Sequence, residues 1–320
     1  MDNISVVIPL YNKASHISRA LSSVLRQEYP HFEVIVVDDG STDNGPNVVK
    51  TMADARVQLV SQTNQGVSEA RNVGIRKACS DYVAFLDADD SWEPEFLSTI
   101  SKLIEKYPNA GAYALNYYVV SRGGRRREAK IKSMPPAPWN GLLPNYFQSI
   151  ATGANPVWSS AVCVKKSTFE SVGFFEKGIN LYEDLQMWTN IALKFPIAFS
   201  TSVGATYHRD AENRACNIVV PDTKVLPFEI TLMSAVATMR DDPETIRYAR
   251  QFICKYKLLN AFKCVVAGER SRAGIIARQA DPVNLEQLAR KLFVVFLSHL
   301  PDSCIRYIWR SGVAIKGQIF

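Results

Sequence analysis

The sequence predicts an α/β fold, a Rossmann-like and mostly parallel sheet flanked by helices, followed by a helical C-terminal extension. Over the first 120 residues, apolar runs rich in β-branched residues alternate with amphipathic helical patterns. Strands that are apolar on both faces are typical of a sheet covered by helices on each side. From about residue 222 onward the pattern is helical, with few strand signals. We therefore predict one domain over residues 1–215 and a basic, mainly helical extension over residues 216–320.

The predicted elements follow one another in strict alternation. Apolar runs predict strands at 5–9, 33–39, 57–61, 81–87 and 110–120, and helical spacing predicts helices at 14–26, 45–53, 67–78 and 94–107. Pro94 suits the first turn of the last of these helices. Ligands of such sheets bind at the carboxyl ends of the strands. The functional side chains are therefore expected just after each strand.

Regular alternation fails after residue 120. The segment 121–132 has six Lys and Arg against one Glu, and the residues that follow it are rich in proline. Together they predict a long, mobile, basic loop. A strand is expected again at 160–165, then a short helix leading to Gly173 and an amphipathic helix over 181–195.

Composition excludes several classes of protein. The chain has 320 residues, of which 47% are hydrophobic and 21% charged, as in ordinary globular proteins. No apolar run is long enough to cross a bilayer, and the N-terminus is typical of a first strand rather than a signal peptide. The six cysteines are widely spaced without a CxxC pair, which favours reduced thiols in a cytosolic protein over disulfides or zinc.

The charge distribution indicates a partner surface. Basic and acidic residues balance over residues 1–215, so the whole formal net charge of +6 falls within 216–320. A basic C-terminal part suggests an anionic partner, either a membrane or a nucleic acid. Within it, residues 291–317 contain Tyr307 and Trp309 flanked by Arg and Lys. This segment suits either an amphipathic contact with a membrane surface or a helical hairpin packed on the first domain or on a second subunit.

Polar residues collect at the predicted strand ends. Asp38 and Asp39 end the second strand, and Asp87, Asp89 and Asp90 follow the fourth. Three carboxylates this close repel one another, and a bound cation would resolve the conflict. Oxygen ligands hold a hard divalent metal, the metal spans two phosphates, and an arginine pairs with the remaining phosphate charge. The pattern therefore indicates a site for a nucleotide diphosphate with a metal ion.

Two other nucleotide-binding classes are poor candidates. The chain has no Gly-x-x-x-x-Gly-Lys loop and no G-x-G-x-x-G after its first strand. Phosphate-loop kinases and nicotinamide dehydrogenases depend on these loops.

Four stretches in order carry a family resemblance: SVVIPLYNKASHISRALSSVLRQEYPHFEVIVVDDGSTD, NQGVSEARNVGI, DYVAFLDADD and GFFEKGINLYEDLQMW. Together they resemble glycosyltransferase family 2, whose members are inverting, metal-dependent enzymes with the GT-A fold. The resemblance covers most of residues 4–195, and four motifs in order are far more specific than a lone Asp-x-Asp. The last third of the chain carries no motif that resembles a known family.

The resemblance implies a set of site residues. Pro9, Tyr11 and Asp39 are expected to line the base and ribose pocket, and Arg71 to approach the diphosphate. UDP is the expected nucleotide because Asp39 resembles the residue that meets the uracil edge in relatives. The metal, Mn²⁺ or Mg²⁺, is expected on Asp89, with Asp87 and more weakly His208. The full set expected to bind the nucleotide sugar is Pro9, Tyr11, Asn12, Asp39, Asn64, Arg71, Asp87 and Ala88.

By the same resemblance, Asp184 is the general base that takes the proton from the acceptor hydroxyl. Its neighbour Glu183 diverges from it by about 100° on a helix, so only one of the two carboxylates can face the acceptor. Relatives often carry an Arg- or His-containing segment followed by Ser beyond this helix. Here the chain offers Tyr207-His208-Arg209 and then, after three further residues, Asn-Arg-Ala-Cys, without that Ser.

Simpler roles exist for these residues. The Asp residues at 87–90 and Asp184 could each cap a helix, and Asp38 and Asp39 could form an ordinary turn before glycine. Trp158 suits either the core or stacking on a sugar face. The basic segment 121–132 is either a solvated charge run or a site for acceptor phosphate.

The resemblance also implies partners. They are a UDP-hexose and a glycan or lipid-linked oligosaccharide acceptor in bacterial surface polysaccharide assembly, with no role for nucleic acid. A cytoplasmic location is expected, with peripheral contact to the inner face of the plasma membrane and a homodimer both compatible with the C-terminal region. The alternative functions are nucleotidyl transfer to a sugar phosphate and non-catalytic binding of a nucleotide sugar. Nucleotidyl transfer would want a Gly-rich, basic segment after the first strand, and residues 10–13 are not one.

Overall fold

The computed structural model describes residues 3–179, 181–211, 225–239 and 242–300. The chain divides into two compact units, Met1–Asn213 and Arg214–Phe320. The C-terminal Tyr307 and Trp309, and two of the six cysteines, Cys216 and Cys304, lie outside the described residues.

The first unit is built on a ten-stranded mixed sheet of order β3-β2-β1-β4-β9-β6-β10-β5, with β7 on β6 and β8 on β10. Strands β3, β2, β1 and β4 are parallel, whereas β9 runs antiparallel between β4 and β6. The strands are β1 (Ile4–Leu10), β2 (Phe32–Asp38), β3 (Val57–Ser61), β4 (Tyr82–Phe85), β5 (Ser91–Trp92), β6 (Ala112–Val120), β7 (Arg126–Glu128), β8 (Asn140–Leu142), β9 (Val162–Lys165) and β10 (Ile197–His208).

The described residues of this unit also form seven helices: α1 (Ala14–Leu25), α2 (Gly45–Thr51), α3 (Val67–Lys77), α4 (Phe96–Lys106), α5 (Tyr146–Thr152), α6 (Lys166–Val172) and α7 (Glu183–Ala192). A 3-10 turn, Ser159–Ala161, precedes β9. The burial of these strands and helices matches their sequence patterns. Strands β1 and β2 are buried almost throughout, and the amphipathic helices α1 and α4 place one apolar side each in the same core.

The α/β architecture and the helical C-terminal region are confirmed, and three local predictions are corrected. The basic segment is not wholly irregular, because β7 pairs with the end of β6 and β8 pairs with β10. Strand β10 was not predicted at all. Helix α4 begins at Phe96 after the N-cap residue Glu95, so Pro94 lies just outside it.

The described part of the second unit consists of α8 (Pro227–Thr238), α9 (Pro243–Val266), α10 (Arg270–Gln279) and α11 (Leu285–His299). Its core forms between α9, α10 and α11, and Phe228 of α8 stacks on Phe252 of α9 with ring centroids 4.4 Å apart. One side of α11 leaves four large apolar side chains exposed: Leu285, Leu288, Leu292 and Phe296. In the described ranges, no helix combines the length and the apolar character needed to cross a membrane.

Candidate active site

The end of β1 presents the first group of predicted site residues. Pro9 has no backbone N–H to donate to β4. This costs no hydrogen bond in the sheet, because the pairing of β1 with β4 ends at Val7 and Phe85. Tyr11 follows the strand with 45% of its surface exposed, as suits a ring that a flat ligand could stack on. Asn12 adopts a left-handed conformation with φ of 51°. Its Oδ1 accepts hydrogen bonds from the backbone N–H and hydroxyl of Thr42, which holds the loop after β2 in place.

Asp39 organises the loop that carries Asn64. Its Oδ1 accepts hydrogen bonds from the Gln62 side chain at 2.7 Å and the Gln65 backbone N–H at 2.8 Å, and its Oδ2 accepts one from Gly66 N–H at 2.8 Å. A carboxylate has about four acceptor positions, so one is left over for a ligand. Asp39 therefore shapes the predicted base pocket while retaining limited capacity to bind a base.

Gly40 lets this loop pack closely against the turn after β2. Its φ is +72°, and a Cβ at this position would lie 2.9 Å from the backbone nitrogen of Asn64. Any other residue would therefore push the Asn64 loop away. Asn64 itself is exposed beside this contact.

The turn after β4 holds the predicted metal ligands, and each is paired with a cation. Asp87 accepts a hydrogen bond from Arg71 Nη2 at 2.9 Å, and Asp89 Oδ2 lies 2.8 Å from the Nζ of Lys13. The backbone carbonyl of Asp89 also accepts from Arg19 Nη2 at 2.6 Å. Ala88, between the two carboxylates, is buried. The Lys13 ion pair shows that the Asp87–Asp89 turn lies beside the end of β1.

Asp90 is the buried anchor of this turn. Its Oδ2 accepts from the Ser160 hydroxyl at 2.6 Å, and its Oδ1 accepts from the His208 backbone N–H at 3.0 Å. Ser160 also accepts from the backbone N–H of Asp87 at 3.1 Å. Burial raises the pKa of Asp90 well above its ordinary value, and the charges of Asp89 and Asp87 raise it further. Asp90 thus fastens the 3-10 turn and the end of β10 to the Asp-x-Asp segment.

The donor set fits a divalent cation held jointly with phosphates. Magnesium is commonly bound by one or two carboxylates together with substrate phosphates, and Asp87 and Asp89 supply two carboxylates on one turn. No three His, Cys, Asp or Glu side chains among the described residues are arranged to hold a metal by themselves. Since Arg71 and Lys13 neutralise both carboxylates, phosphate oxygens would have to contribute to the affinity for the cation.

His208 lies at the same sheet edge but engages a different partner. Its Nε2 is 2.9 Å from the Ser91 hydroxyl. Burial lowers its pKa, and the Arg19 charge lowers it further, which favours the neutral imidazole that a metal would need. To bind a metal ion, His208 would use its Nδ1, or it would use its Nε2 after losing the hydrogen bond to Ser91.

Arg71 joins the Asp-x-Asp turn to the start of α7. The guanidinium is almost fully buried, with Nη1 donating to Glu183 Oε1 at 2.8 Å and Nη2 donating to Asp87. It also lies over the Phe175 ring, 5.3 Å from the centroid. Both terminal amino groups are therefore committed to carboxylates, and Arg71 fixes the position of Glu183 relative to Asp87.

Asp184, the predicted general base, has a different partner from Glu183. Its Oδ2 lies 3.4 Å from the Ser159 hydroxyl, on the turn whose next residue, Ser160, holds Asp90. Burial and, to a lesser extent, the adjacent Glu183 charge raise the pKa of Asp184 to about 7, against the lowering effect of the Arg71 charge. A carboxylate that titrates near neutral pH is suited to accepting a proton. The residue before the helix, Tyr182, has φ of 69°, a sparsely populated conformation for a residue other than glycine.

Sequence reasoning missed three side chains that contact the candidate site: Lys13, Ser159 and Ser160. Lys13 follows a strand end, as do the residues that were predicted, so its position could have suggested it. Ser159 and Ser160 carry no local signal, because small hydroxyl residues before a strand are common in loops.

Residues 5–157 match the model of glycosyl transferase family 2. GlyA, a glycosyltransferase of Streptococcus pneumoniae serotype 4, is 37% identical over 37% of this chain and 17% of its own length. An uncharacterized glycosyltransferase of Rickettsia bellii is 31% identical over 59% of this chain and 26% of its own length. YibD, an uncharacterized glycosyltransferase of Escherichia coli, is 41% identical over 31% of this chain and 29% of its own length. The matched stretches thus span a third or less of these relatives.

Solved structures agree in fold. TarS residues 1–349 from S. aureus, in complex with UDP-GlcNAc, superposes with a TM-score of 0.64 at 18% identity, covering 97% of this chain and 92% of that one. The same part of TarS in complex with UDP gives a TM-score of 0.59 at 16% identity. At this identity the likeness establishes the GT-A fold alone.

Proposed function

Because residues 5–157 match the model of glycosyl transferase family 2, we propose that the chain transfers a hexose from UDP to an acceptor hydroxyl with inversion at the anomeric carbon. The observation that carries this proposal is a chain of ion pairs. Lys13 joins the end of β1 to Asp89, and Arg71 joins Asp87 to Glu183 beside Asp184. These ion pairs support the proposal because they bring the proposed nucleotide-binding residues, the Asp-x-Asp turn and the candidate base to one edge of the sheet. UDP as the nucleotide is supported by the TarS structures, which contain UDP-GlcNAc and UDP.

The proposed reaction uses Asp184 as the base. The acceptor oxygen attacks the anomeric carbon from the face opposite the diphosphate, and its proton passes to Asp184. The bond between the anomeric carbon and the phosphate oxygen breaks, and UDP leaves with the bonding electrons. Ser159 would steady the Asp184 carboxylate, and the Arg71–Glu183 pair would hold the start of α7 in place.

Asp87 and Asp89 are the proposed metal residues, with His208 as a weaker candidate. A divalent cation bound there would offset the negative charge that develops on the departing diphosphate. Arg71 and Lys13 add fixed positive charge at the same turn.

The first test measures binding of UDP with and without Mn²⁺ by calorimetry. We expect a chelator to weaken UDP binding, and Asp89→Asn to weaken the metal-dependent part by roughly tenfold or more. The matched control is Glu170→Gln, an exposed carboxylate on α6. If the chelator and Asp89→Asn both leave UDP affinity unchanged, this metal assignment is wrong. Release of UDP from UDP-hexoses, with and without acceptor, then tests the transfer activity itself.

A second expected result concerns pH. Asp184 accepts a proton only when it is ionised, so kcat/KM should rise with pH through about 7 and level off above it. Replacing Glu183 by Gln removes a like charge that raises the pKa of Asp184, and the acidic limb should move to lower pH. The measurement is the pH profile of kcat/KM for both proteins. A limb that stays in place in Glu183→Gln would assign it to another group, such as His208.

The acceptor is proposed to be a glycan or lipid-linked saccharide of bacterial surface polysaccharide assembly, in keeping with the bacterial glycosyltransferases that the chain resembles. The homodimer and the contact with a membrane surface stay predictions. The exposed apolar side of α11 is the described feature that bears on them.

A further inference from the structure

A cavity of about 810 Å³ lies in the first unit between β6, β10 and the segment 127–137, which we call the cover segment. Its volume falls within the range typical of sites for small molecules. The two strands contribute the apolar Val119 of β6 and Phe199 of β10 together with the polar Asn116 and Thr201. The cover segment adds an apolar wall of Ile131, Met134, Pro135, Pro136 and Ala137.

The rim of this cavity carries excess positive charge. Arg127, Lys130 and Arg209 line it and are exposed, against one carboxylate, Glu128. The Glu128 carboxylate accepts a hydrogen bond from the buried Asn116 side chain at 2.7 Å. Neither Arg127 nor Lys130 forms an ion pair with any other described side chain. No protein carboxylate among the described residues therefore neutralises these two cations.

The adjacent Arg126, by contrast, forms an ion pair. Its guanidinium donates to Glu93 at 2.6 Å and lies 3.7 Å from the centre of the Tyr118 ring. It does not line the cavity. Arg127 and Lys130 thus differ from Arg126 in having no ion pair with a described side chain and in lining the cavity, whereas Arg122 and Arg125 are exposed without lining it.

Packing connects the cavity to the candidate base. Asn116 lines the cavity, and the next residue, Tyr117, packs against Trp158 with ring centroids 4.8 Å apart. Trp158 precedes Ser159, whose hydroxyl lies 3.4 Å from Asp184. The pKa of the Tyr117 hydroxyl is raised chiefly by burial, while the charge of Arg209 lowers it and that of Asp184 raises it. Tyr117 therefore lies within the electrostatic range of both the cavity rim and the base.

A second connection runs through the end of β10. Arg209 directly follows His208, whose backbone N–H donates to Asp90 in the turn that carries Asp87 and Asp89. Arg209 on the cavity rim is therefore linked, through its neighbour His208 and one backbone hydrogen bond, to the turn that carries Asp87 and Asp89.

We propose that this cavity is the acceptor site and that the acceptor carries a phosphate group, held by Arg127, Lys130 and Arg209. The proposal rests on the transferase function proposed above, because it assigns the second substrate of the same site. Arg forks and Lys point charges are the side chains that bind phosphate oxygens most strongly. Val119, Phe199 and the apolar wall of the cover segment would contact the non-polar faces of sugar rings.

The test measures binding of hexose 1-phosphate to the full chain by calorimetry. The wild-type chain is compared with a double variant, Arg127→Ala with Lys130→Ala, and with a matched control, Arg122→Ala with Arg125→Ala. The control removes two exposed cations of the same basic segment that do not line the cavity. We expect the cavity variant to bind hexose 1-phosphate about tenfold more weakly and the control to match the wild type. The wild-type affinity should fall as salt is added.

A second arm identifies the source of the phosphate. Phosphatidylcholine vesicles with and without a polyprenyl phosphate replace the sugar phosphate, and binding is measured by co-sedimentation. Loss of binding in the cavity variant alone, in either arm, supports the proposal and shows whether the phosphate comes on a soluble sugar or on a lipid. Equal binding by all three proteins, or none by the wild type in both arms, overturns it. UDP release by the wild type tests the transferase function separately, so the two failures are distinguishable.

Discussion

Asp184→Asn is expected to lower kcat by about a thousandfold while leaving UDP affinity close to that of the wild type. A positioned general base contributes roughly 10²- to 10⁴-fold to a rate, and the Asn amide has nearly the same shape but cannot accept the proton. Ser159 can still donate to the amide oxygen, so the start of α7 should keep its structure. The measurements are the initial rate of UDP release with acceptor present and a parallel UDP titration.

The matched control for this variant is Glu170→Gln, because that exposed carboxylate on α6 has no partner role in the site. Its rate should equal that of the wild type. Normal turnover by Asp184→Asn would show that another group takes the proton. A parallel loss of UDP binding would show instead that the substitution disturbs the nucleotide pocket.

The part of the fold that could be predicted is the part whose burial follows a simple period. Strands β1, β2 and β3 and helices α1 and α3 were placed within two residues of their ends, since apolar runs and helical spacing mark them. Strand β10 was not predicted because its alternation of apolar and polar residues is interrupted. Its pairing with β6 shifts register between Ser200 and Val203, and again between Val203 and Ala205, so no clean alternation survives in the sequence.

The sequence predicts which strand ends contribute to the candidate site, but it does not predict which side chains form ion pairs there. The sequence places Asp39, Asp87 and Asp89 after strands, and the topology then brings them to one edge. Which cation each carboxylate meets depends on contacts between residues far apart in the chain. Arg71 and Glu183 are separated by 112 positions, and no local pattern encodes that ion pair. For the same reason Arg71 was predicted to approach the diphosphate, whereas its described partners are carboxylates.

Arg71→Met is expected to have the largest effect on stability. The guanidinium is almost fully buried between Asp87 and Glu183, so its removal leaves two carboxylates without their partner close to Asp184. Breaking a buried ion pair from one side costs about 3–5 kcal/mol. The loss should be greatest at high pH. Unpartnered carboxylates have raised pKa values in the folded state, and protonation at lower pH relieves their repulsion. Urea unfolding at pH 6 and pH 8.5 measures both effects.

A double-mutant cycle separates the ion pair from simple loss of packing, since Arg71 also lies over the Phe175 ring. Glu183→Gln removes one of the two stranded charges, so Arg71→Met in that background should cost less than in the wild type, by roughly 1–3 kcal/mol. The same logic applies to activity. Arg71 lowers the pKa of Asp184, and the acidic limb of kcat/KM in Arg71→Met should move to higher pH. Additive free energies and an unmoved limb would assign Arg71 to packing alone. A coupled result would mean that one buried guanidinium sets both the geometry and the proton affinity of the start of α7.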